Sequence, residues 1–379
     1  MENKEIIEIS NKINNEELYE EDYDEENEEI EIKSYSKQEI PLQLQERATE
    51  DINRLMNKKR IIINSDYQRN FVWTNLQQCR LIDSIFLGIP IPSIWLIKRK
   101  NGIFEIIDGL QRLTTIKNFM DNKLQLKNMT WVEKLNNKTY TELEETFKFD
   151  FNDYNIRLTI INDNDNNDKN LVYELFKRIN QNSAPLQKQE LRNATYISKF
   201  NDEIKNLAKN DKLISEILPN KKYGARMKNI EMFYRFLGQF SKYDSQKNQI
   251  NNSDSIDNTV TSFMNKAITF KEEEIKYYIN ELKEAILKVY TVFNTKSFRK
   301  WENKKFKEAI NVPLMEMQLI TLYKYDKNYL NKNKNQIIEK FKELFKDDEF
   351  NYSLRAATSS SSNINIRLQK FQNKLNELK

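Results

Sequence analysis

Histidine is absent from this chain of 379 residues. Its absence excludes Ser-His-Asp triads, histidine-ligated zinc sites, HNH-type nucleases and histidine general bases. Any general acid–base chemistry would have to use carboxylates, lysine or tyrosine. A single cysteine, Cys79, excludes an intramolecular disulfide. Because Cys79 falls on an apolar helix face, we expect a buried structural thiol and not a nucleophile.

Glycine and long apolar runs are also scarce. The chain has only five glycines, and it contains neither a Gly-x-x-x-x-Gly-Lys-Ser/Thr nor a Gly-x-Gly-x-x-Gly motif. A nucleotide would therefore have to bind without the common NTPase or dinucleotide folds. No apolar run approaches the ~20 residues that a membrane helix needs. The start of the chain, Met1-Glu2-Asn3-Lys4-Glu5, is too acidic and polar for a signal peptide, so we expect a cytoplasmic protein without membrane association.

Charge is distributed unevenly along the chain. Residues 1–40 contain 15 acidic and 4 basic side chains, a net charge of −11, whereas the remainder carries +15. The sequence predicts that 1–40 is an acidic disordered arm, either a solvated tail or a mimic of nucleic acid that shields a basic groove. The basic body favours nucleic acid as a partner, although a lysine- and asparagine-rich composition also arises from an AT-rich genome.

Periodicity divides the rest of the chain into two predicted domains, 41–200 and 201–379. The first mixes strands and helices, and the second shows little strand signal, so the fold class is α+β with an all-helical C-terminal domain. The predicted strands are 61–63, 93–97, 103–107 and 156–161. The predicted helices are 44–56, 75–87, 112–121 and 169–180, followed by 200–209, 226–240, 266–293, 303–325 and 334–346.

The stretch 106–116 predicts a strand, a tight turn and a helix. Asp108 is expected as the N-cap, with Gln111 completing a structure close to a capping box. Arg112 then lies in the first helical turn, where free N–H groups and the helix dipole favour an anion. The arginine fork would suit a phosphate. The alternative is a capped helix with a surface arginine.

Polar side chains are concentrated in three clusters at the predicted ends of elements. Their arginines and amides suit phosphate and a base edge, whereas local caps and ion pairs are the alternative explanation. Asp108 could serve as a magnesium-bound or general-base carboxylate, or only as an N-cap. The clusters are Tyr67-Gln68-Arg69, Asp108 to Arg112, and Arg178-Ile179-Asn180 with Glu190 and Arg192.

Several motifs in a fixed order resemble the N-terminal domain of GmrSD-type modification-dependent restriction enzymes. That family has an Asp-Gly-Gln-Gln-Arg motif on a ParB/sulfiredoxin-like fold, and the likeness is clear over about 45–200. Leu110 replaces the first glutamine of the motif. The runs that carry the resemblance are Tyr67-Gln68-Arg69-x-x-Val72-Trp73, Leu81 to Ile85, Gly88 to Pro92, Asp108 to Thr114, Phe176-x-Arg178-Ile179-Asn180 and Glu190 to Ala194.

The resemblance implies an NTP-binding, NTP-hydrolysing module that uses Mg²⁺ and associates with DNA, including modified DNA, in phage defence or restriction–modification. It implies no HNH nuclease within this chain and a separate nuclease or effector as partner. The alternative is a non-catalytic DNA- or partner-binding regulatory protein. The implied catalytic residues are Asp108, Gln111 and Arg112. The implied nucleotide-binding residues are Tyr67, Gln68, Arg69, Gly109, Arg178 and Asn180, with no metal held by protein ligands alone.

Overall fold

The computed structural model describes residues 42–62, 73–162, 169–179, 187–218, 227–244, 246–247, 249–250 and 254–378. The chain divides into two compact units, and the boundary falls between Leu191 and Arg192. The first unit contains a mixed sheet with helices, and the second is predominantly helical. The predicted α+β class, with a sheet-containing domain followed by a helical region, is therefore confirmed.

The first unit contains the larger sheet. Its strands are β1 (Leu42–Ala48), β2 (Ile61–Ile62), β3 (Ile94–Lys98), β4 (Phe104–Asp108) and β5 (Asn155–Asn162). Its helices are α1 (Thr49–Asn57), α2 (Asn75–Phe86), α3 (Leu110–Met120), α4 (Glu145–Asp153), α5 (Lys169–Ile179) and α6 (Lys188–Thr195), the last of which crosses the boundary between units. Short 3₁₀ helices occur at Glu133–Leu135 and Tyr140–Glu142.

The five strands are arranged in the order β1-β5-β3-β4-β2. Strand β3 pairs in parallel with β5 and antiparallel with β4, while β2 runs parallel to β4. This pairing aligns Trp95 with Asp108. The start of β3 and the end of β4 are consequently adjacent, at the point where the chain turns into α3.

Aromatic side chains fill the centre of the first core. The ring centroid of Phe151 on α4 lies 5.1 Å from that of Phe119 and 5.5 Å from that of Phe86. The Tyr140 ring contacts the same ring edge to face, with 6.1 Å between the centroids. These tilted and edge-to-face contacts anchor α2, α3 and α4 to one another, since each helix contributes at least one ring.

The predicted helix over 44–56 is wrong in its first half. Leu42–Ala48 is a strand that pairs antiparallel with β5, and α1 begins only at Thr49. The run Leu-Gln-Leu-Gln alternates with period two, and it has no apolar residues at helical spacing. The Thr49 N–H donates to the Tyr154 carbonyl at 3.0 Å, which fixes the point where the strand becomes a helix.

The second unit consists mainly of helices. These are α7 (Lys199–Asn210), α8 (Lys212–Ile217), α9 (Lys228–Phe240), α10 (Ile256–Ala267), α11 (Glu272–Phe293), α12 (Val312–Tyr323), α13 (Lys327–Leu344), α14 (Asp348–Ser353) and α15 (Ser361–Asn376). A 3₁₀ turn covers Asn294–Lys296, and two short hairpins join β6 (Tyr243–Asp244) to β7 (Gln249–Ile250) and β8 (Arg299–Glu302) to β9 (Lys305–Ile310).

Three predicted helices of the second unit differ from the structure. The helix expected over 334–346 begins seven residues earlier, at Lys327. The helix expected over 266–293 is two helices, with the break at Ile268–Lys271, and α10 begins at Ile256. The helix expected over 303–325 begins only at Val312, because Arg299–Ile310 forms the β8–β9 hairpin. Asn303 and Lys304 adopt left-handed φ values of 51° and 60°, as a two-residue hairpin turn requires.

Within the described residues, no helix is both long enough and apolar enough to cross a membrane.

Replacement of Phe151 tests the importance of the aromatic core. Phe151→Ala removes a fully buried ring and should lower the free energy of unfolding by about 3–5 kcal/mol. Phe149, two residues earlier on the same helix, is exposed, so Phe149→Ala should change it by less than about 0.5 kcal/mol. Urea denaturation followed by circular dichroism measures both values. Equal effects of the two substitutions would contradict the described core.

Candidate functional site

A strand, a left-handed glycine and a helix make up the predicted site. Strand β4 ends at Asp108, Gly109 adopts φ +93°, and α3 begins at Leu110. Gly109 is the N-cap, and it has no side chain with which to cap the helix. The prediction that Asp108 is the N-cap and forms a capping box with Gln111 is therefore wrong. Asp108 remains within the sheet, where its side chain has a different partner.

That partner is Arg112, one helical turn away. The two side chains form an ion pair with 2.6 Å between Arg112 Nη2 and Asp108 Oδ2. Arg112 Nη1 also donates to the carbonyl oxygens of Pro92 and Ser93, the latter at 3.4 Å. One guanidinium thus links the end of β4, the segment that leads into β3 and the first turn of α3.

Burial shapes the electrostatics of this pair. Only 11% of the Arg112 side chain is exposed, against 27% for Asp108. Burial lowers the pKa of the Arg112 guanidinium, and the Asp108 carboxylate partly reverses that effect by its charge and hydrogen bond. Since an arginine side chain ordinarily loses its proton only far above neutral pH, Arg112 stays charged, and its positive charge is directed at Asp108.

The turn requires a glycine at position 109 for a steric reason as well as a conformational one. A Cβ added there would overlap the Ile94 side chain and lie 3.3 Å from Arg112 Nη2. Ile94 is fully buried at the start of β3 and cannot withdraw easily. The glycine of the motif thus allows the turn to pack directly on β3 and leaves space for the Arg112 guanidinium.

Gln111 connects the turn to the chain that precedes α2. Its Oε1 accepts a hydrogen bond from the Trp73 main-chain N–H at 3.2 Å. Trp73 is the first described residue after the predicted cluster Tyr67-Gln68-Arg69, and those three residues lie outside the described residues. The contact places Trp73, which follows the cluster Tyr67-Gln68-Arg69 in the sequence, beside the Asp108-to-Arg112 cluster.

The third predicted cluster does not act as one group. Arg178 is exposed in the last turn of α5, and within the described part of the chain no hydrogen bond or ion pair joins it to Asp108, Gln111 or Arg112. Asn180 lies outside the described residues. These two residues therefore remain predicted rather than located members of the site.

Glu190 and Arg192 have separate structural partners, one local and one distant in sequence. Glu190 accepts a hydrogen bond from the Gln187 N–H at 2.6 Å. Arg192 is buried and forms an ion pair with Asp257, and its Nε donates to Thr261 Oγ1 at 3.1 Å. The alternative explanation of this cluster, a local cap and an ion pair, thus accounts for the geometry of both side chains.

Sequence patterns gave no indication of Pro92 and Ser93 as site residues. Both act through main-chain carbonyls, which any residue carries, so their side chains hold no signal. Ser93 also has a side-chain contact of its own, a 2.9 Å hydrogen bond between its Oγ and Thr159 Oγ1 on β5. This bond fixes the segment that presents both carbonyls to Arg112.

Metal binding by protein side chains alone has no support among the described residues. They contain no group of three or more histidine, cysteine, aspartate or glutamate side chains placed to hold an ion. Asp108 is a single carboxylate, and it is already paired with Arg112. Such a site fits a magnesium ion only if the ion takes most of its ligands from water and from the phosphates of a nucleotide.

Substitution of Gly109 separates steric overlap from backbone strain. Gly88 also has a left-handed φ, of +68°, but a Cβ there would meet no atom within 4 Å. Gly88→Ala should lower the free energy of unfolding by about 1–2 kcal/mol through backbone strain alone. Gly109→Ala should lower the free energy of unfolding by roughly 1–3 kcal/mol more, because Ile94 must also move. Urea denaturation measures both losses. Equal losses of unfolding free energy in the two variants would contradict the described packing.

Part of the chain is similar to a known protein family. Residues 52–197 match the family model of the GmrSD restriction endonuclease N-terminal domain. No curated protein and no solved structure matches the chain. The matched range includes the whole turn from Asp108 to Arg112 and the Pro92 and Ser93 carbonyls that hold it. Residues 52–197 of this chain therefore belong to the GmrSD N-terminal domain family.

Proposed function

We propose that the first unit binds a nucleoside triphosphate at the β4–α3 turn, and that the protein is a DNA-associated component of a restriction-like phage-defence system. The family to which residues 52–197 belong is named for a restriction endonuclease, a class of enzyme that acts on DNA. The basic excess of residues 41–379 supports the association with DNA, since a basic surface attracts the phosphate backbone.

The observation that carries the nucleotide proposal is the start of α3, with its glycine N-cap, beside a fixed arginine. Gly109 offers no side chain to the N–H groups of the first turn. Those N–H groups and the positive end of the helix dipole attract an anion. Arg112 is held at the same place, and its three bonds to Asp108, Pro92 and Ser93 use only part of a guanidinium with five N–H donors.

Each site residue has a distinct proposed role. Arg112 and the first turn of α3 hold phosphate oxygens, and Gln111 fixes the turn against Trp73. Asp108 orients the guanidinium, and its carboxylate positions a water molecule or a nucleotide-bound magnesium ion. Tyr67, Gln68, Arg69, Arg178 and Asn180 are proposed to complete the nucleotide pocket.

A second function, nucleotide or partner binding without hydrolysis, is favoured by one feature of the same pair. Asp108 and Arg112 form an ion pair, and within the described residues the Asp108 carboxylate accepts no other hydrogen bond. A general base needs a free carboxylate close to the attacking water, whereas a paired carboxylate mainly orients its partner. Turnover therefore requires nucleotide binding to change the Asp108–Arg112 contact.

Gln111→Glu is the most selective test of nucleotide binding. The variant keeps an acceptor for the Trp73 N–H and places a negative charge at a helix N-terminus, where it suits the dipole. The same charge repels a triphosphate at close range, so affinity for ATP or GTP with magnesium should fall roughly tenfold or more. Equilibrium dialysis measures the affinity, and thermal melting checks that the variant folds.

Gln43→Glu is the matched control, because Gln43 is exposed on β1 and the substitution adds the same charge to the same unit. It should bind nucleotide as the wild type does. Equal losses in both variants would indicate a general charge effect, and unchanged binding in Gln111→Glu would contradict the proposed site.

Asp108→Asn distinguishes hydrolysis from binding alone. If the Asp108 carboxylate takes part in turnover, the variant should lose NTP hydrolysis by on the order of 100-fold while still binding nucleotide. Phosphate release is measured with and without duplex DNA. Tight binding by the wild type without any turnover would favour the second function, and absence of both binding and turnover would overturn the nucleotide proposal.

A further inference from the structure

The β8–β9 hairpin of the second unit presents a lysine-rich face that the family match does not include, since the match ends at residue 197. Residues 299–310 contain five basic and two acidic side chains, a net charge of +3. We infer that this hairpin contacts the phosphate backbone of duplex DNA. The inference rests on the association with DNA in the proposed function and adds to it a specific surface.

The alternation of the strands separates the two faces of the hairpin. Trp301 and Phe306 are cross-strand partners with ring centroids 5.1 Å apart. Lys342 Nζ lies 4.4 Å from the Trp301 ring centroid, and the Phe306 ring stacks on Phe341 at 6.3 Å. The aromatic face therefore packs on α13, and the lysines alternate onto the opposite face.

Two lysines at the hairpin tip are available for a partner. Lys304 and Lys305 are exposed, and neither forms an ion pair or side-chain hydrogen bond within the described residues. Lys307 contacts Glu302 at 2.7 Å, and its hydrogen bond lowers the pKa of that carboxyl. The charges of Lys307, Lys300 and Arg355 lower it further, against the effect of burial. Glu302 is thus outnumbered by cations, and the face stays positive at neutral pH.

The base of the hairpin is rigid. Arg299 is buried, and its Nη1 donates to the Ser297 carbonyl at 2.8 Å. Its Nη2 reaches the Ile217 carbonyl at 3.5 Å, and Ile310 on the second strand is fully buried. A fixed ribbon presents its charges without a large loss of conformational entropy on binding.

Shape and composition favour DNA over a protein partner. A two-stranded ribbon fits the major groove of B-DNA, and lysines along it match the repeated phosphates at its edges. Protein interfaces usually depend on buried aromatic or arginine anchors. Here both aromatic side chains of the hairpin are turned inward, so the outer face offers charge without such an anchor.

The test is a double variant, Lys304→Asn with Lys305→Gln, in the full chain. Asparagine tolerates the left-handed conformation of Lys304, so the turn is retained while two charges are removed. Fluorescence anisotropy with a labelled duplex of about 20 base pairs, over a range of salt concentrations, gives the affinity and its salt slope. The slope of log affinity against log salt concentration should become shallower by about 1.8. The affinity near 0.1 M salt should fall roughly 10- to 60-fold.

Lys332→Gln with Lys334→Gln is the control. Both lysines are exposed on α13, and the change in net charge is the same. The control should retain the wild-type slope. If both double variants lose affinity equally, or if neither does, the hairpin is not the contact and the inference is overturned.

Nucleotide binding by the same proteins keeps the two proposals separate. The hairpin variant should bind NTP as the wild type does, so loss of DNA affinity with normal NTP binding supports the inference. If the wild type and the hairpin variant bind duplex DNA equally well, the inference fails and the proposed association with DNA stands. If the wild type binds no DNA, both the inference and the proposed association with DNA are overturned, whether or not the protein binds NTP.

Discussion

One buried guanidinium determines the geometry of the candidate site. Arg112 lies in the first turn of α3, where the helix dipole disfavours a positive charge. Asp108 and the Pro92 and Ser93 carbonyls offset that cost, and they do so only because β4 and β3 are adjacent in the sheet. The turn, the register of two strands and the direction of the helix are therefore coupled through one side chain.

The same coupling explains the constraint on Gly109. The guanidinium and Ile94 occupy the space that a Cβ would need. The turn and the strand thus approach each other closely, and the glycine that this approach requires has no side chain with which to cap the helix. The site combines a fixed cation with the N-terminus of a helix, an arrangement that favours an anion and supports the proposed triphosphate.

The sequence could predict the parts of this site that depend on local patterns. The apolar run before Asp108 and the helical spacing of Leu113, Ile116 and Met120 indicated a strand and a helix, and both are present. The N-cap assignment failed because Asp108 has a stronger partner in Arg112. Pro92 and Ser93 could not be found from sequence, because they contribute main-chain carbonyls that only the sheet register brings close.

Fold prediction followed the same division between local and long-range information. Helix α2 was predicted closely, and its Thr74–Gln77 capping box is present. Most of strand β1 and the whole of strand β9 were predicted as helix, since each depends on a partner strand. In the hairpin, Asn303-Lys304 is a weaker turn signal than Asn-Gly, and lysine and glutamate favour helices. Tertiary contacts of Trp301 and Phe306 override that preference.

The central claim is that the first turn of α3 receives the phosphates of a nucleotide. Hydrogen–deuterium exchange of the full chain, with and without saturating NTP and magnesium, tests it most directly. The account predicts slower exchange of the amides from Leu110 to Leu113 on nucleotide binding, with α4 unchanged as an internal reference. Nucleotide binding that left these amides unaffected while protecting another part of the chain would contradict it.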